Sequence, residues 1–127
     1  MSVRRTIRTR LYAEDLPLIL EVLEARGFAY RRNSNVTGYR RNFDIAVKVG
    51  ETYCLGFART REGGETFFQL HADSEYLEER RFARLKGELE AQFKALQIRG
   101  RLARNGYVLT CFEETSERIV LRIRQAV

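Results

Sequence analysis

Three short runs of alternating residues in the middle of the chain constrain the fold most. Strand-forming side chains occupy every second position over residues 43–49, 53–57 and 66–70, and this period of two places them on one side of an extended strand. Gly50-Glu51 and Glu62-Gly63-Gly64-Glu65 separate the runs and have the composition of tight turns. The three runs therefore predict an antiparallel meander.

A strand, a helix and a further strand are predicted before this meander. Residues 3–12 alternate with apolar positions on one side and arginines on the other. Acidic residues and Pro17 then indicate the start of a helix, which Gly27 ends in the position that favours glycine. Phe28 begins the next strand, and polar residues at 33–35 form a turn.

A long helix and a closing hairpin are predicted after the meander. The helix is expected from residue 73 or 74, with a kink or break near Gly100 and an end at Asn105-Gly106. Residues 107–111 and 119–123 alternate again and predict the two strands of the hairpin.

The order of elements is thus strand, helix, four strands, long helix, two strands. Strands grouped between separated helices predict an α+β fold, a two-layer structure with a mostly antiparallel sheet and the helices on one face. A chain of 127 residues buries about two-thirds of its surface on folding. No low-complexity linker interrupts the sequence, so we expect one α+β domain over residues 1–127.

Several pieces of the sequence resemble an uncharacterised family of plastid and cyanobacterial genomes, the hypothetical chloroplast reading frame 35 family (domain of unknown function 1257). The matching pieces span nearly the whole chain in the expected order: Thr6-Ile7-Arg8-Thr9, Gly27-Phe28, Val36-Thr37-Gly38-Tyr39, Asp44-Ile45-Ala46-Val47, Leu55-Gly56-Phe57 and Asn105-Gly106-Tyr107. The resemblance implies a small soluble α+β protein without a known catalytic activity.

This chain departs from the family at its characteristic aromatic positions. Members carry a tryptophan after the third meander strand and a tyrosine-histidine pairing in the last helix, whereas this sequence has no tryptophan and reads Phe93, Ala95 and Leu96 there. The resemblance therefore implies no catalytic residues for this protein.

The lack of long apolar segments and the spacing of the cysteines exclude several classes of function. No apolar run approaches the roughly 18 residues of a membrane span, and no apolar segment of a secretory signal follows the basic start, so we expect a cytoplasmic protein. Cys54 and Cys111 are isolated from each other and from histidine, which argues against a zinc site or a disulfide framework. We expect no metal and no cofactor.

Histidine, glycine and acidic residues offer little catalytic chemistry. His71 is the only histidine, and pairing with Asp44 on a neighbouring strand would allow general acid-base work, although no nucleophile accompanies the two. Gly63-Gly64 joins two strands rather than leading into a helix, so it is a turn and not a phosphate loop. The acidic residues lack the spacing of a calcium loop. An enzyme built around His71 is the least favoured hypothesis.

The excess of arginine is the compositional feature that most suggests a function. Lys+Arg number 23 against 17 Asp+Glu, for a net charge of +6, and residues 1–41 carry nine basic and four acidic side chains. Arginines recur on alternating strand positions and around the loop before the meander: Arg4, Arg8, Arg10, Arg31, Arg32, Arg40, Arg41, Arg118, Arg122 and Arg124. If the first and last strands are neighbours, these arginines form one basic surface, with Tyr12 and Tyr30 as stacking rings.

Two functions fit such a surface. Arginine is the preferred cation at protein interfaces, which favours an accessory or adaptor protein that binds a protein partner or a second copy of itself. The alternative is a module that binds RNA or other single-stranded nucleic acid, since arginine pairs with phosphate and aromatic rings stack on bases. The sequence contains no RNP1, KH or zinc-finger motif.

Overall fold

The computed structural model describes residues 3–115 and 118–126, except the side chains of residues 114 and 119. The described residues form seven strands and two α-helices in this order: β1 Arg4–Tyr12, α1 Leu16–Ala25, β2 Tyr30–Asn35, β3 Asn42–Val49, β4 Thr52–Glu62, β5 Glu65–Asp73, α2 Glu79–Arg104, β6 Tyr107–Glu114 and β7 Ile119–Gln125. A short 3₁₀ turn, Ala13–Asp15, joins β1 to α1. The predicted α+β class and the predicted order of elements are confirmed.

The strands form two sheets rather than one. β1 to β5 form an antiparallel sheet in the order β1-β5-β4-β3-β2, and β6 and β7 pair only with each other in the part of the chain that the structure describes. The first and last strands therefore belong to different sheets. Alternation of apolar residues identifies a strand but not the sheet to which it belongs, because both sheets repeat every second residue.

The chain divides into two compact units, Met1–Glu90 and Ala91–Val127. The first holds the five-stranded sheet, α1 and the start of α2; the second holds the rest of α2 and the β6-β7 hairpin. The expectation of one domain over the whole chain stays a prediction.

The two faces of the five-stranded sheet can be read from its register. Thr6, His71, Gly56, Ala46 and Arg31 are successive cross-strand partners from β1 to β2 and share one face, which we call the arginine face. The next residues along each strand lie on the opposite face, which we call the helix face.

The helix face carries the larger apolar core of the first unit. Ile45, Phe57 and Leu70 are cross-strand neighbours on it and are fully buried or nearly so. Apolar residues of α1 and of the first turns of α2 are buried as well: Ile19, Val22, Leu23, Phe82, Leu85 and Leu89. Arg5, also on this face, pairs with Glu79 at the start of α2, which places the first turns of α2 over this face. Arg26 at the end of α1 pairs with Glu88 of α2. In the first unit the helices therefore lie on one face of the sheet, as predicted.

The long helix is not broken near Gly100, where the sequence predicted a kink or a break. α2 runs through Gly87 and Gly100 without interruption and ends before Asn105-Gly106, as expected. It begins at Glu79 rather than at residue 73 or 74, because β5 extends to Asp73, whose carboxylate accepts the backbone N–H of Glu75 in a turn. No helix within the described ranges has the length and apolar character to cross a membrane.

Candidate functional site

The segment between β2 and β3, residues 36–41, lies across the arginine face; we call it the crossing segment. Val36 is fully buried against the sheet, and the Thr37 N–H donates to the Tyr53 carbonyl at 2.8 Å. Gly56 makes this approach possible, since a Cβ there would lie 2.8 Å from both Val36 Cγ2 and Phe43 Cδ1. A glycine inside a strand commonly marks such a close approach.

The crossing segment also reaches the far edge of the sheet. Arg4 of β1 donates from Nη2 to the Gly38 carbonyl at 2.7 Å, and Gly38 has a φ of +94° that favours glycine. The ring of Tyr76 lies against the same glycine, 2.9 Å from the position a Cβ would take. The segment therefore leaves the edge strand β2, is bonded to the central strand β4 and is bonded again to β1 at the opposite edge.

His71 lies under the crossing segment and is only 6% exposed. Its ring meets the rings of Phe43 and Tyr39 edge to face, with centroids 5.2 and 6.1 Å apart. Nε2 lies 3.4 Å from Arg41 Nη2, and Nδ1 lies 3.2 Å from Thr6 Oγ1. Because arginine only donates, Nε2 accepts and the ring proton sits on Nδ1, which donates to the threonine.

Burial and the neighbouring charge of Arg41 both oppose protonation of this ring. Together they lower the pKa of His71 to about 4, with burial the larger cause. The imidazole is therefore neutral at physiological pH, with both nitrogens engaged.

Asp44 does not pair with His71. Its carboxylate instead accepts the backbone N–H of Arg59 at 2.8 Å and the Arg59 Nε at 2.9 Å. The predicted acid-base pair is thus wrong, because strict alternation does not hold at this end of β3: the ring of Phe43, and not the carboxylate of Asp44, packs on His71.

The hydroxyl of Tyr39 differs from the polar groups around it, which form hydrogen bonds. Its oxygen is buried and is the one buried side-chain polar atom without a hydrogen-bond partner among the described residues. Burial raises the pKa of Tyr39, and the Arg4 guanidinium opposes that shift. A buried hydroxyl without a partner costs stability.

Removing this hydroxyl should therefore stabilise the protein. We expect Tyr39→Phe to raise the free energy of unfolding by about 1 kcal/mol, measured by urea unfolding at pH 7. Tyr30→Phe is the control, because that hydroxyl donates to Glu24 at 2.6 Å and its removal gives no such gain. A Tyr39→Phe protein less stable than wild type would show that the hydroxyl is bonded in solution.

Four arginines of the arginine face stack on aromatic rings. Guanidinium carbons lie close to ring centroids in each pair: Arg4 over Tyr39 at 4.7 Å, Arg8 over Phe67 at 3.9 Å, Arg31 over Tyr53 at 4.2 Å and Arg41 over Phe43 at 4.4 Å. Stacking fixes the plane of each guanidinium and leaves its N–H edges available for hydrogen bonds. We call Arg4, Arg8, Arg31 and Arg41 the stacked arginines.

Acidic neighbours balance part of this charge. Arg8 lies 3.4 Å from Glu65, Arg4 lies 3.9 Å from the buried carboxylate of Asp73, and Arg59 pairs with Asp44 at 2.8 Å. The contact between Arg8 and Glu65 joins two exposed side chains and therefore contributes little to stability. In the described ranges, Arg31 and Arg41 form no ion pair, so their charge is open to a ligand.

The structure brings together four of the ten arginines singled out in the sequence. Arg10, Arg32 and Arg40 are exposed on β1, on β2 and in the crossing segment. Arg118, Arg122 and Arg124 are exposed in the second unit, the first beside the hairpin turn and the others on β7.

The stacking rings are not the ones predicted. Tyr30 is engaged by Glu24, which raises the pKa of its hydroxyl, and Tyr12 lies half-buried where β1 meets the 3₁₀ turn. Sequence reasoning missed the four rings that do stack: Tyr39, Phe43, Tyr53 and Phe67. Only Arg41 and Phe43 are close in sequence, and Gly56, inside a strand, was one available signal that another segment packs over this face.

The described residues contain no group of three or more His, Cys, Asp or Glu side chains that could hold a metal ion. Comparison with known proteins found no matching family model, curated protein or solved structure. The resemblance to the chloroplast reading frame 35 family stays a prediction.

Proposed function

We propose that this protein is a cytoplasmic accessory or adaptor protein that binds an acidic protein partner, or a second copy of itself, through the stacked arginines. The observation that carries the proposal is the stacking of four guanidinium groups on one face of the five-stranded sheet. Each is held in place before a partner arrives, so little side-chain entropy is lost on binding.

The surroundings of these arginines support a protein ligand. Protein interfaces are enriched in arginine and tyrosine, and Tyr39, Tyr53 and the 42% exposed Tyr76 lie beside or under the stacked arginines and the crossing segment. This chain already pairs its own arginines with carboxylates at Glu65, Asp44 and Glu79. A partner that presents carboxylates would use the same geometry at Arg31 and Arg41.

Charge reversal at Arg31 and Arg41 tests the proposal. We expect the Arg31→Glu/Arg41→Glu protein to capture its partner from a lysate of its own cells at least tenfold less well than wild type, because each central arginine contributes about 1 to 2 kcal/mol to such an interface. Quantitative co-purification measures this, with sedimentation analysis in parallel to detect self-assembly.

The matched control reverses two exposed arginines away from the stacked set. Arg61→Glu/Arg80→Glu changes the net charge equally and should retain capture. Equal loss in both variants would show that net charge, not the stacked arginines, drives binding. A monomer that captures no partner at all would overturn the proposal. Circular dichroism confirms that both variants are folded.

A second candidate function is single-stranded nucleic-acid binding. All four stacked arginines come from residues 1–41, where basic side chains outnumber acidic ones nine to four. A 12-nucleotide random-sequence RNA distinguishes the two functions, because phosphate binding weakens steeply between about 50 and 200 mM salt. Tight, salt-sensitive RNA binding that Arg31→Glu/Arg41→Glu abolishes would favour this function; no binding at 50 mM would remove it.

Catalysis at His71 is the least supported function. The imidazole is neutral, buried and bonded at both nitrogens. An unchanged phenotype for His71→Ala would remove the only candidate catalytic residue.

A further inference from the structure

A shallow cleft of about 180 Å³ opens in the first unit, away from the stacked arginines. It lies beside α2, at the loop that follows α1 and at the end of β3. Its lining combines apolar and charged side chains: Phe28, Val49, Leu85, Arg81, Arg84 and Glu88.

The floor of the cleft is apolar and largely buried. Val49 and Leu85 are 6% and 8% exposed, and Phe28 is half-buried next to Gly27, where the chain turns out of α1. A cavity of about 150 Å³ is enough to hold a benzene ring, so the volume here suits a single aromatic ring.

The rim of the cleft is positively charged. Arg81 and Arg84 lie three residues apart on α2 and so project from the same side of the helix. The Arg81 guanidinium lies against the β3–β4 turn, where a Cβ at Gly50 would be 3.6 Å from Nη1. Glu88 is already bound to Arg26 at 2.6 Å. Neither Arg81 nor Arg84 forms an ion pair within the described residues.

We propose that this cleft binds a small aromatic carboxylate. The ring lies on Phe28, Val49 and Leu85, and the carboxylate lies between the guanidinium groups of Arg81 and Arg84. Arginine matches a carboxylate with two parallel hydrogen bonds, and aromatic rings pack favourably on Phe28. An apolar floor with two open cations at its edge complements a ligand that is apolar at one end and anionic at the other.

This site is independent of the proposed partner-binding function. None of its lining residues belongs to the stacked arginines or the crossing segment. Of the lining residues, Arg81, Arg84, Leu85 and Glu88 all come from α2.

Three small probes separate the two parts of the site. Phenylacetate carries ring and charge, phenylacetamide carries the ring alone, and acetate carries the charge alone. We expect phenylacetate to bind with a millimolar dissociation constant, as is usual for a ligand of about ten heavy atoms. Phenylacetamide and acetate should each bind at least fivefold more weakly. Titration monitored by ¹H–¹⁵N NMR measures this at the amides of Phe28, Val49 and Leu85.

Two variants test the arginines. Arg81→Gln/Arg84→Gln should weaken phenylacetate binding at least fivefold and leave phenylacetamide binding unchanged. Arg80→Gln removes an exposed arginine of the same turn that does not line the cleft, and should change neither. A thermal melt confirms that the exposed substitutions leave the fold intact.

Four results would overturn the proposal. Acetate binding as tightly as phenylacetate would show a nonspecific arginine site, and phenylacetamide binding as tightly would show that the charge plays no role. An equal loss in Arg80→Gln would remove the assignment to Arg81 and Arg84. Absence of shifts at the three amides with wild-type protein would show that the ring does not enter the cleft.

Discussion

Replacing Gly56 with valine should lower the free energy of unfolding by about 3 kcal/mol, because overpacking a filled core costs up to that amount or more. The first carbon of the new side chain would lie 2.8 Å from Val36 and Phe43, both of which are buried. The cost is steric and not conformational, since Gly56 does not have a positive φ. Urea unfolding followed by circular dichroism measures it.

A second glycine provides the control for this prediction. Gly87 lies inside α2, and a Cβ there would meet nothing within 4 Å. Gly87→Ala should therefore raise the stability by about 0.5 to 1 kcal/mol, the usual gain in helix propensity. If Gly56→Val were as stable as wild type, the crossing segment would not pack on the sheet as described.

Acidification should destabilise the protein through His71. The unfolded chain takes up a proton on this histidine near pH 6.5, whereas the folded protein does so only near its pKa of about 4. Between these values the unfolded state binds more protons, so stability is full above pH 6.5 and falls as the pH drops towards 4. The depressed pKa corresponds to a loss of up to about 3 kcal/mol, at about 1.4 kcal/mol per pKa unit.

A variant without the titrating ring isolates this effect from the carboxylates. His71→Gln keeps a polar side chain beside Thr6 and Arg41 but takes up no proton. Urea unfolding of both proteins at pH 7, 6, 5 and 4 should show the wild type losing its advantage over the variant across this range. Parallel pH profiles would mean that His71 is protonated as easily in the folded state as in the unfolded one.

The order of elements was readable from local patterns because each pattern depends on near neighbours in sequence. Alternation identified β3, β4 and β5, and glycine identified the ends of both helices. The second covered face was missed, although the chain carried a sign of it. Ile45, Ala46 and Val47 are consecutive and all buried, and an unbroken buried run is typical of a strand covered on both faces.

The candidate site was predicted less completely because its contacts are long-range. Arg4 and Tyr39 are 35 positions apart, and Arg31 of β2 reaches Tyr53 of β4 across the one intervening strand, β3. Tyr12 and Tyr30 were predicted as stacking rings on the condition that the first and last strands were neighbours, but the Tyr30 hydroxyl donates to Glu24 of the preceding helix. Composition indicated that arginine forms the binding surface, whereas only the strand register shows which arginines share a face.

The crossing segment links the two outer strands of the sheet, and this link affects the local unfolding of the first unit. β1 and β2 are the outer strands, which in an untied sheet would exchange their amide hydrogens first, each by its own local fluctuation. Here Arg4 of β1 is bonded to Gly38, and Thr37 is bonded to Tyr53 of β4, within the segment that continues β2. Displacement of either outer strand disturbs the same span of residues 36–41. The two edges of the sheet should therefore open as one cooperative unit.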